Sequence, residues 1–473
     1  MDLFAHQDIS KTQIPEAIEV INPATGEILA YVKKTNAQEL EEKILKAYKA
    51  QKQWANILAE ERSDRLMRFF VLMLEYKEAL AEIMTKEQGK PLAESRGEIL
   101  YAASFIKWFA QEARKVCGDI MESKVKDQKI MTLKQPIGVC AAITPWNFPS
   151  AMLTRKIAPA LASGCAILVK SASKTPLSAY ALELLAQKAG IPKDVFMIVN
   201  GDSNTISDVF CESEMIRKLS FTGSTEVGAQ LYAKCAKTVK KLSMELGGNA
   251  PFIVFDDANL EEAVQGIMAS KFRNSGQTCV CANRIYAQSG IYTRLCEILQ
   301  KEMQTLKVGN GLEEGVNQGP LIHKSAVLKV KEHIEDALSK GARLLSGGKE
   351  HKLGGTYFEP TLICDVTPSM LVAKEETFGP LAPIFKFDTE EEAIAMANAT
   401  EFGLAAYFFT QDYKRQWRVA ESLEYGMVGI NTGLISNEVA PFGGIKHSGL
   451  GREGSKYGIE EYMELKYLCL SVK

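Results

Sequence analysis

The chain has 473 residues, of which 46% are hydrophobic and 24% are charged; this composition excludes a disordered protein and predicts two or more folded domains. Its 56 basic and 58 acidic residues leave a net charge of -2, so neither nucleic acid nor an anionic membrane surface is expected as a main partner. The 10 cysteines and 5 histidines are scattered without the spacing of metal ligands. We therefore predict reduced thiols and no metal site.

The amino-terminal segment, MDLFAHQDIS, has neither the basic region nor the apolar core of a signal peptide. No uninterrupted apolar run elsewhere in the sequence is long enough to span a bilayer. The sequence therefore predicts a cytoplasmic protein without a membrane segment.

Strand-like and helix-like patterns follow one another in the first part of the chain. Residues 18–35 are typical of short strands and turns, and Asn36 can cap a helix because Glu39 stands three residues later. Two further helical stretches and a lysine-rich, strand-like arm are predicted at 60–86, 91–115 and 118–138.

From Gly138 onward, strand, loop and helix patterns alternate, with apolar runs at 138–143, 165–170, 195–199 and 217–221. This alternation predicts a parallel sheet with helices on both faces, which binds nucleotides beyond the carboxyl ends of its strands. Gly223 and Ser224 would let a pyrophosphate approach a helix amino terminus, although an ordinary strand-to-helix turn explains them equally well. Lys170 ends a strand, where it can bond ribose hydroxyls or simply extend into water.

A cysteine follows a run of turn-forming residues in KFRNSGQTCVCAN, residues 271–283. Cys279 can be a nucleophile there, or a small buried hydrophobic residue, as most free cysteines are. Arg273 stands six residues earlier, where a cation could hold an anionic substrate. Upstream, Glu245 stands among apolar residues before two glycines, where solvation alone hardly explains a carboxylate. These two neighbours favour the nucleophile.

Six long motifs are spread over nearly the whole chain: PWNFP (145–149), FTGSTE (221–226), MELGGNAP (244–251), FRNSGQTCVCAN (272–283), EETFGPLAP (375–383) and PFGGIKHSGLGREGSKYG (441–458). They resemble the aldehyde dehydrogenase superfamily, and above all its succinate-semialdehyde dehydrogenases. The resemblance implies an aldehyde dehydrogenase-like α/β fold with an open parallel nucleotide-binding sheet, an α/β catalytic domain and a β oligomerisation element. The implied bounds are 1–117 and 139–249 for the cofactor-binding domain, 250–440 for the catalytic domain, and 118–138 and 441–473 for the oligomerisation element. Members are commonly dimers or tetramers, so a homo-oligomer is expected.

The same resemblance assigns chemistry to matched positions. Cys279, as thiolate, attacks an aldehyde and gives a thiohemiacetal. The Asn147 side chain and the Cys279 backbone N–H stabilise the oxyanion, although Asn147 could instead be a structural turn residue. Glu245 activates the water that hydrolyses the later thioester. The positions matching those that grip a substrate carboxylate are Arg155, Arg273 and Ser436, for which structural salt bridges are the alternative.

The resemblance also implies a nicotinamide cofactor. The positions assigned to it are Trp146, Asn147, Lys170, Ser173, Lys174, Gly223, Ser224, Leu246, Glu376 and Phe378. Ser173 stands where many members have an acid that bonds the adenosine ribose, and Lys174 lies beside it, so NADP is predicted to be accepted and preferred, with NAD possible. Ser171 replaces a proline that many members have after Lys170, so the resemblance does not determine the conformation of this loop.

The predicted reaction is the oxidation of succinate semialdehyde, a small-molecule aldehyde, to succinate. A glutarate-semialdehyde or other ω-carboxylate aldehyde dehydrogenase is the nearest alternative, because one methylene is worth only about 1–3 kcal/mol in a pocket. A catalytically idle homologue that kept the fold is a remote alternative. The joint presence of Cys279, Glu245 and Asn147 disfavours it.

Overall fold

The computed structural model describes Leu3 and residues 5–473. The first part of the chain forms β1 (Ile9–Ser10), β2 (Ala17–Ile21), β3 (Ile28–Lys33), α1 (Ala37–Asn56), α2 (Ala59–Glu75), α3 (Lys77–Gln88) and α4 (Leu92–Glu112). Next come β4 (Ile120–Glu122), β5 (Gln128–Pro136), β6 (Val139–Ile143), α5 (Pro149–Ser163), β7 (Ala166–Lys170), α6 (Pro176–Lys188), β8 (Phe196–Val199), α7 (Ser203–Glu212), β9 (Ile216–Thr222), α8 (Thr225–Cys235) and β10 (Lys241–Glu245).

The second half continues with β11 (Ala250–Val254), α9 (Leu260–Lys271), β12 (Ala282–Gln288), α10 (Tyr292–Met303), α11 (Lys324–Ser339), β13 (Arg343–Ser346), β14 (Thr361–Val366), α12 (Leu371–Lys374) and β15 (Leu381–Phe387). It ends with α13 (Glu390–Asn398), β16 (Ala405–Phe409), α14 (Tyr413–Ser422), β17 (Met427–Ile430), β18 (Gly449–Leu450), α15 (Ser455–Glu460) and β19 (Met463–Ser471).

A six-stranded sheet, ordered β18-β10-β9-β6-β7-β8, occupies the first half of the fold. Its strands are parallel except for β18, which pairs antiparallel with β10. All residues of β7 are buried, as expected for a strand covered on both faces. The parallel sheet predicted from the alternation after Gly138 is therefore confirmed. In its register Ile143 lies opposite Lys170 on one side and Phe221 on the other, so the loops after these three strands meet at one sheet edge.

A seven-stranded sheet, ordered β13-β14-β15-β12-β11-β16-β17, forms the second half. Successive residues of β11 enter two different cores, because side chains alternate across a strand. Phe252 and Val254 pack with residues of α9 and α10, whereas Ile253 packs with residues of α11, α13 and α14.

Two antiparallel sheets stand apart from these, with orders β1-β3-β2 and β19-β5-β4. The second sheet joins the lysine-rich arm to the last strand, in a register that runs from Met463 opposite Pro136 to Ser471 opposite Gln128. The segment 441–473 does not belong wholly to this arm, because its strand β18 extends the six-stranded sheet. The domain bounds implied by the resemblance stay a prediction.

The first helix begins where the local sequence predicts a cap. Asn36 and Glu39 form the expected capping box of α1. The stretch predicted over 60–86 is instead two helices that meet at Tyr76 (φ -96°, ψ 14°). The N–H of Tyr76 donates to Leu72 O and its carbonyl accepts from Leu80 N, so the bend loses no hydrogen bond at this residue and the apolar periodicity does not reveal it.

Buried carboxyl groups hold the first turns of two helices that pack beside the six-stranded sheet. Glu98 on α4 accepts from the amides of Ser150 (2.9 Å) and Ala151 (3.2 Å) at the start of α5. Glu87 on α3 binds the first amides of α6 in the same way, and burial raises its pKa to about 8. Because α5 begins two residues after Asn147, the carboxylate of Glu98 holds the helix start that follows a predicted site residue.

Candidate active site

Cys279 lies between α9 and β12, after a tight turn over Arg273–Gly276. Asn274 and Ser275 in this turn have positive φ, and side-chain bonds hold both: Asn274 N donates to Glu94 Oε2 (2.8 Å) and Ser275 Oγ to Gly319 O (2.9 Å). Gly276 has φ 76°, and a Cβ there would lie 2.1 Å from Gly379 O. The residues Asn274, Ser275 and Gly276 therefore fix the conformation of the loop, which leads to the partly buried Cys279.

Two cavities meet at Cys279. The larger, about 330 Å³, is lined by Glu94, Gly97, Glu98, Tyr101, Phe148, Met152, Arg155, Arg273, Thr278, Cys279, Val280, Ser436 and Phe442. The smaller, about 220 Å³, is lined by Pro145, Trp146, Asn147, Met152, Thr222, Gly223, Ser224, Leu246, Gly247, Cys279, Glu376 and Phe378. A nucleophile at this junction can reach ligands that enter from two sides.

Burial disfavours ionisation of the Cys279 thiol. Burial raises its pKa to about 12; Arg155 opposes this rise, whereas Glu376 and Glu245 add to it. Only the thiolate is a strong nucleophile. A base or an added positive charge is therefore needed before Cys279 can attack.

Asn147 presents a fixed amide at the same junction. Its Nδ2 donates to Gln277 O (3.0 Å), and its Oδ1 accepts from Phe148 N (3.1 Å). Its carbonyl oxygen accepts from Lys90 Nζ (2.6 Å) and Asn274 Nδ2 (3.0 Å), which tie this loop to the cysteine loop. An amide nitrogen carries two N–H groups, so one remains for an oxyanion.

Glu245 ends β10 with its side chain only 3% exposed. Neither carboxylate oxygen has a hydrogen-bond partner among the described residues. Burial raises its pKa well above 4.5, and the neighbouring Glu453 adds to the shift. A buried carboxyl group without a partner is costly for stability, and such groups are common at catalytic sites.

The larger cavity contains the three side chains predicted to hold a carboxylate, Arg155, Arg273 and Ser436. Arg155 is 1% exposed and pairs with Glu453 (3.6 Å). Arg273 forms no salt bridge with any described residue, its Nε has no partner, and its guanidinium lies 5.1 Å from the centre of the Phe148 ring. Its positive charge is therefore available to a ligand.

The smaller cavity contains seven of the ten predicted cofactor positions, all except Lys170, Ser173 and Lys174. Trp146 and Phe378 meet edge to face across 5.7 Å. Glu376 has only a long contact from Gly248 N (3.4 Å), and burial raises its pKa to about 8. Its carboxyl oxygens retain capacity for hydroxyl groups.

Lys170 is the last residue of β7, and Ser173 and Lys174 follow it at the same sheet edge. Lys170 is 5% exposed, and its Nζ makes one long bond, to Ser171 O (3.3 Å). Burial lowers its pKa. An ammonium group has three donors, so this lysine can still bind ribose hydroxyls. Lys174 is exposed and lines a separate cavity of about 480 Å³.

Within the described part of the chain, no helix combines the length and apolar character needed to cross a membrane. Among the same residues, no cluster of three or more His, Cys, Asp or Glu side chains could hold a metal ion.

The model of the Aldehyde dehydrogenase family matches residues 9–468. The chain belongs to the aldehyde dehydrogenase family. A glutarate-semialdehyde dehydrogenase of Pseudomonas aeruginosa is 60% identical over 455 residues, covering 96% of this chain and 94% of that one. A succinate-semialdehyde dehydrogenase (NADP(+)) of Escherichia coli is 58% identical over 457 residues, covering 97% and 95%.

The fold of this aldehyde dehydrogenase matches solved structures. A crystal structure of an aldehyde dehydrogenase from Brucella melitensis biovar abortus superposes with a TM-score of 0.96 at 59% identity, covering 97% of this chain and 94% of that chain. The predicted aldehyde dehydrogenase-like α/β fold is therefore confirmed. The roles of individual site residues stay predictions.

Several cavity residues of this aldehyde dehydrogenase were not predicted from its sequence. Glu94 and Tyr101 lie on α4 and Met152 on α5, and all three line the larger cavity. The spacing of Glu94, Glu98 and Tyr101, at i, i+4 and i+7, places them on one helical face. That polar spacing was the only local signal, and the apolar stripe of the same helix obscured it.

Cys281, two residues after the predicted nucleophile, lies outside both cavities. It is 0% exposed, and its Sγ contacts Lys271 O at 3.6 Å. Burial raises the pKa of its thiol. This placement favours a packed structural residue.

Proposed function

We propose that this enzyme oxidises succinate semialdehyde to succinate, with NADP as the preferred acceptor. The observation that carries the proposal is the position of Cys279 between a cavity with two arginines and a cavity with features suited to a nicotinamide nucleotide. An aldehyde whose far end is a carboxylate fits the first cavity, because its charge can pair with Arg273 while its carbonyl reaches Cys279.

Cys279 and Asn147 at the junction, together with Glu245 at the end of β10, can carry both halves of such an oxidation. After the Cys279 thiol loses its proton to water, the thiolate adds to the aldehyde carbon, and the resulting oxyanion is stabilised by the remaining Asn147 N–H and by the Cys279 backbone N–H. Loss of hydride leaves a thioester on Cys279. Glu245 then takes a proton from water, whose oxygen attacks the thioester and releases the acid and the thiol.

The residues around the smaller cavity fit a nicotinamide nucleotide. Gly223 precedes the Ser224 cap of α8, where unpaired amides favour a pyrophosphate. Gly228 and Leu246 are in such close contact that a Cβ on Gly228 would lie 2.4 Å from Leu246 Cδ2, which fixes the wall of this site. Lys170 and Glu376 would bind its ribose hydroxyls, and Trp146 and Phe378 its nicotinamide end. When bound, the cofactor supplies the hydride acceptor.

A steady-state screen of aldehydes with NADP and with NAD tests this function, because reduced cofactor is read directly by absorbance. We expect the highest kcat/KM for succinate semialdehyde with NADP. Ser173→Glu should shift the preference toward NAD, since a carboxylate would bond the free ribose hydroxyl and repel a 2′-phosphate. Ser173→Ala is the matched control and should leave the preference for NADP in place. Wild-type activity confined to NAD would contradict the cofactor assignment.

Arg273 is the sharper test of carboxylate recognition, because Arg155 already pairs with Glu453. Arg273→Met should lower kcat/KM for succinate semialdehyde about tenfold to a hundredfold, since a hydrogen bond to a charged group is worth about 1.5–3 kcal/mol. Butanal, which lacks the carboxylate, should lose little. Arg273→Lys should recover part of the loss, and an equal loss for both aldehydes would point to a distorted cysteine loop instead.

Glutarate semialdehyde is a second candidate substrate. It has the same two functional groups separated by one more methylene, and the relative with 60% identity is named for it. The screen should therefore include both semialdehydes, and the ratio of their kcat/KM values decides between them.

We further propose that the enzyme is a homo-oligomer, a dimer or a tetramer, assembled through the sheet of β19, β5 and β4. In this sheet β19 is an edge strand, and Ile120, Leu465 and Tyr467 are 80%, 64% and 61% exposed. Exposed apolar residues beside an unpaired strand are typical of an interface. Light scattering tests this proposal, and a mass of 52.2 kDa in solution would contradict it.

A further inference from the structure

The larger cavity contains a hydroxyl group that the proposed reaction does not use. Tyr101 lies on α4, with its ring edge to face against Phe105 at 5.1 Å. The side chain is half-buried, and it lines the cavity together with Arg155 and Cys279. Its position is therefore rigid on one side and open to a ligand on the other.

The hydrogen bonds around Tyr101 determine which way its proton points. Arg155 Nη2 donates to the phenolic oxygen of Tyr101. A phenol has one proton to donate, and its oxygen also accepts. Because an arginine has no acceptor atom, the proton of Tyr101 must point away from Arg155. It finds no acceptor among the described residues, so it remains available on the cavity side.

Arg155 itself is held firmly. Its guanidinium pairs with Glu453 (3.6 Å) and lies 3.9 Å from the centre of the Phe442 ring. Glu453 also accepts from Lys156 Nζ (2.5 Å), so its charge is shared between two cations. An arginine fixed in this way keeps the phenol of Tyr101 in a donor orientation.

We propose that Tyr101 is a specificity-determining residue that donates a hydrogen bond to the terminal carboxylate of the substrate. Arg155 and Arg273 supply positive charge there, and Tyr101 supplies a short, directed O–H donor. A neutral aldehyde tail offers no acceptor to this proton, so the contact selects ω-carboxylate aldehydes. The inference rests on the proposed function, whose substrate it helps to recognise.

The test compares Tyr101→Phe with wild type on succinate semialdehyde and on butanal. Phenylalanine keeps the ring against Phe105, so the fold should be retained. We expect kcat/KM for succinate semialdehyde to fall about tenfold to a hundredfold. The loss should appear mainly in KM, because the carboxylate contact is the same before and during reaction. Butanal should be unaffected.

Tyr76→Phe is the matched control. Tyr76 also accepts from a cation, Lys188 Nζ at 3.0 Å, but it lies outside both cavities. This variant should behave as wild type with both aldehydes. An unchanged KM for succinate semialdehyde in Tyr101→Phe, or an equal loss with butanal, overturns the assignment of Tyr101. A wild-type enzyme that does not prefer succinate semialdehyde to butanal would overturn the proposed function itself, a separate outcome.

A loss selective for the carboxylate could also arise if Tyr101 only positions Arg155. A crystal structure of the enzyme with succinate separates the two roles. We expect the Tyr101 oxygen within about 3 Å of a succinate carboxylate oxygen. A separation beyond about 3.5 Å would overturn the direct contact.

Discussion

Cys279→Ala is expected to abolish turnover, with a loss of at least about 10⁴-fold in kcat, because no other group can form the covalent intermediate. Binding of NADP should remain, because the variant leaves the other side chains of the smaller cavity unchanged. Trp146 and Phe378 are among them. Trp146 lies in that cavity, so quenching of its fluorescence measures cofactor binding in the inactive variant.

The control for this variant is Cys281→Ala, which removes a thiol from the same loop but outside both cavities. Its turnover should stay of the wild-type order. If Cys279→Ala keeps measurable turnover while Cys281→Ala loses it, the nucleophile has been assigned to the wrong cysteine.

Glu245→Gln is expected to lower steady-state turnover about 10²- to 10⁴-fold, the usual worth of a general base. The first turnover should still release one equivalent of reduced cofactor per site, because Glu245 is needed only to hydrolyse the thioester. A stopped-flow burst followed by a slow steady state measures this directly. Hydroxylamine, which cleaves thioesters without a protein base, should restore turnover.

The pH dependence gives a second readout for Glu245. Its pKa is raised well above 4.5 by burial and by Glu453, so the basic form becomes populated only as the pH rises through that higher value. The rate of thioester hydrolysis in wild type should therefore increase with pH. Glu245→Gln should lose this dependence, and a variant with the wild-type profile and no burst would rule out Glu245 as the base.

Local sequence was sufficient for the elements that lead to the site. The capping box at Asn36 and the buried strands after Gly138 depend on neighbours within a few residues, so their patterns predict them directly. The bend at Tyr76 escaped prediction because the apolar periodicity of the segment continues through it. Likewise, β18 is only two residues long, and its place beside β10 depends on pairing with a strand far away in the chain.

The motifs assigned Cys279, Glu245 and Asn147 to one predicted site before any coordinates were considered. They did not predict the Glu98 carboxylate that caps α5, nor the Lys90 ammonium that holds the Asn147 carbonyl. Both residues lie on or before α4 and meet the site only after the chain folds back. The residues that flank Lys90 and Glu98 in the sequence are like those around any buried ion pair, so they do not indicate the contacts with the site.

The sequence by itself therefore determined the family and the alternation of strands and helices after Gly138, and it predicted the nucleophile, since these follow from local patterns and from long matched motifs. Only the tertiary structure decided which positive charge is free to meet a substrate. Arg155 and Arg273 look equivalent along the chain, yet Glu453 pairs with Arg155, while Arg273 has no ion-pair partner among the described residues. The electrostatic potential inside a cavity depends on charges that distant segments of the chain bring together. A local sequence pattern therefore does not reveal it.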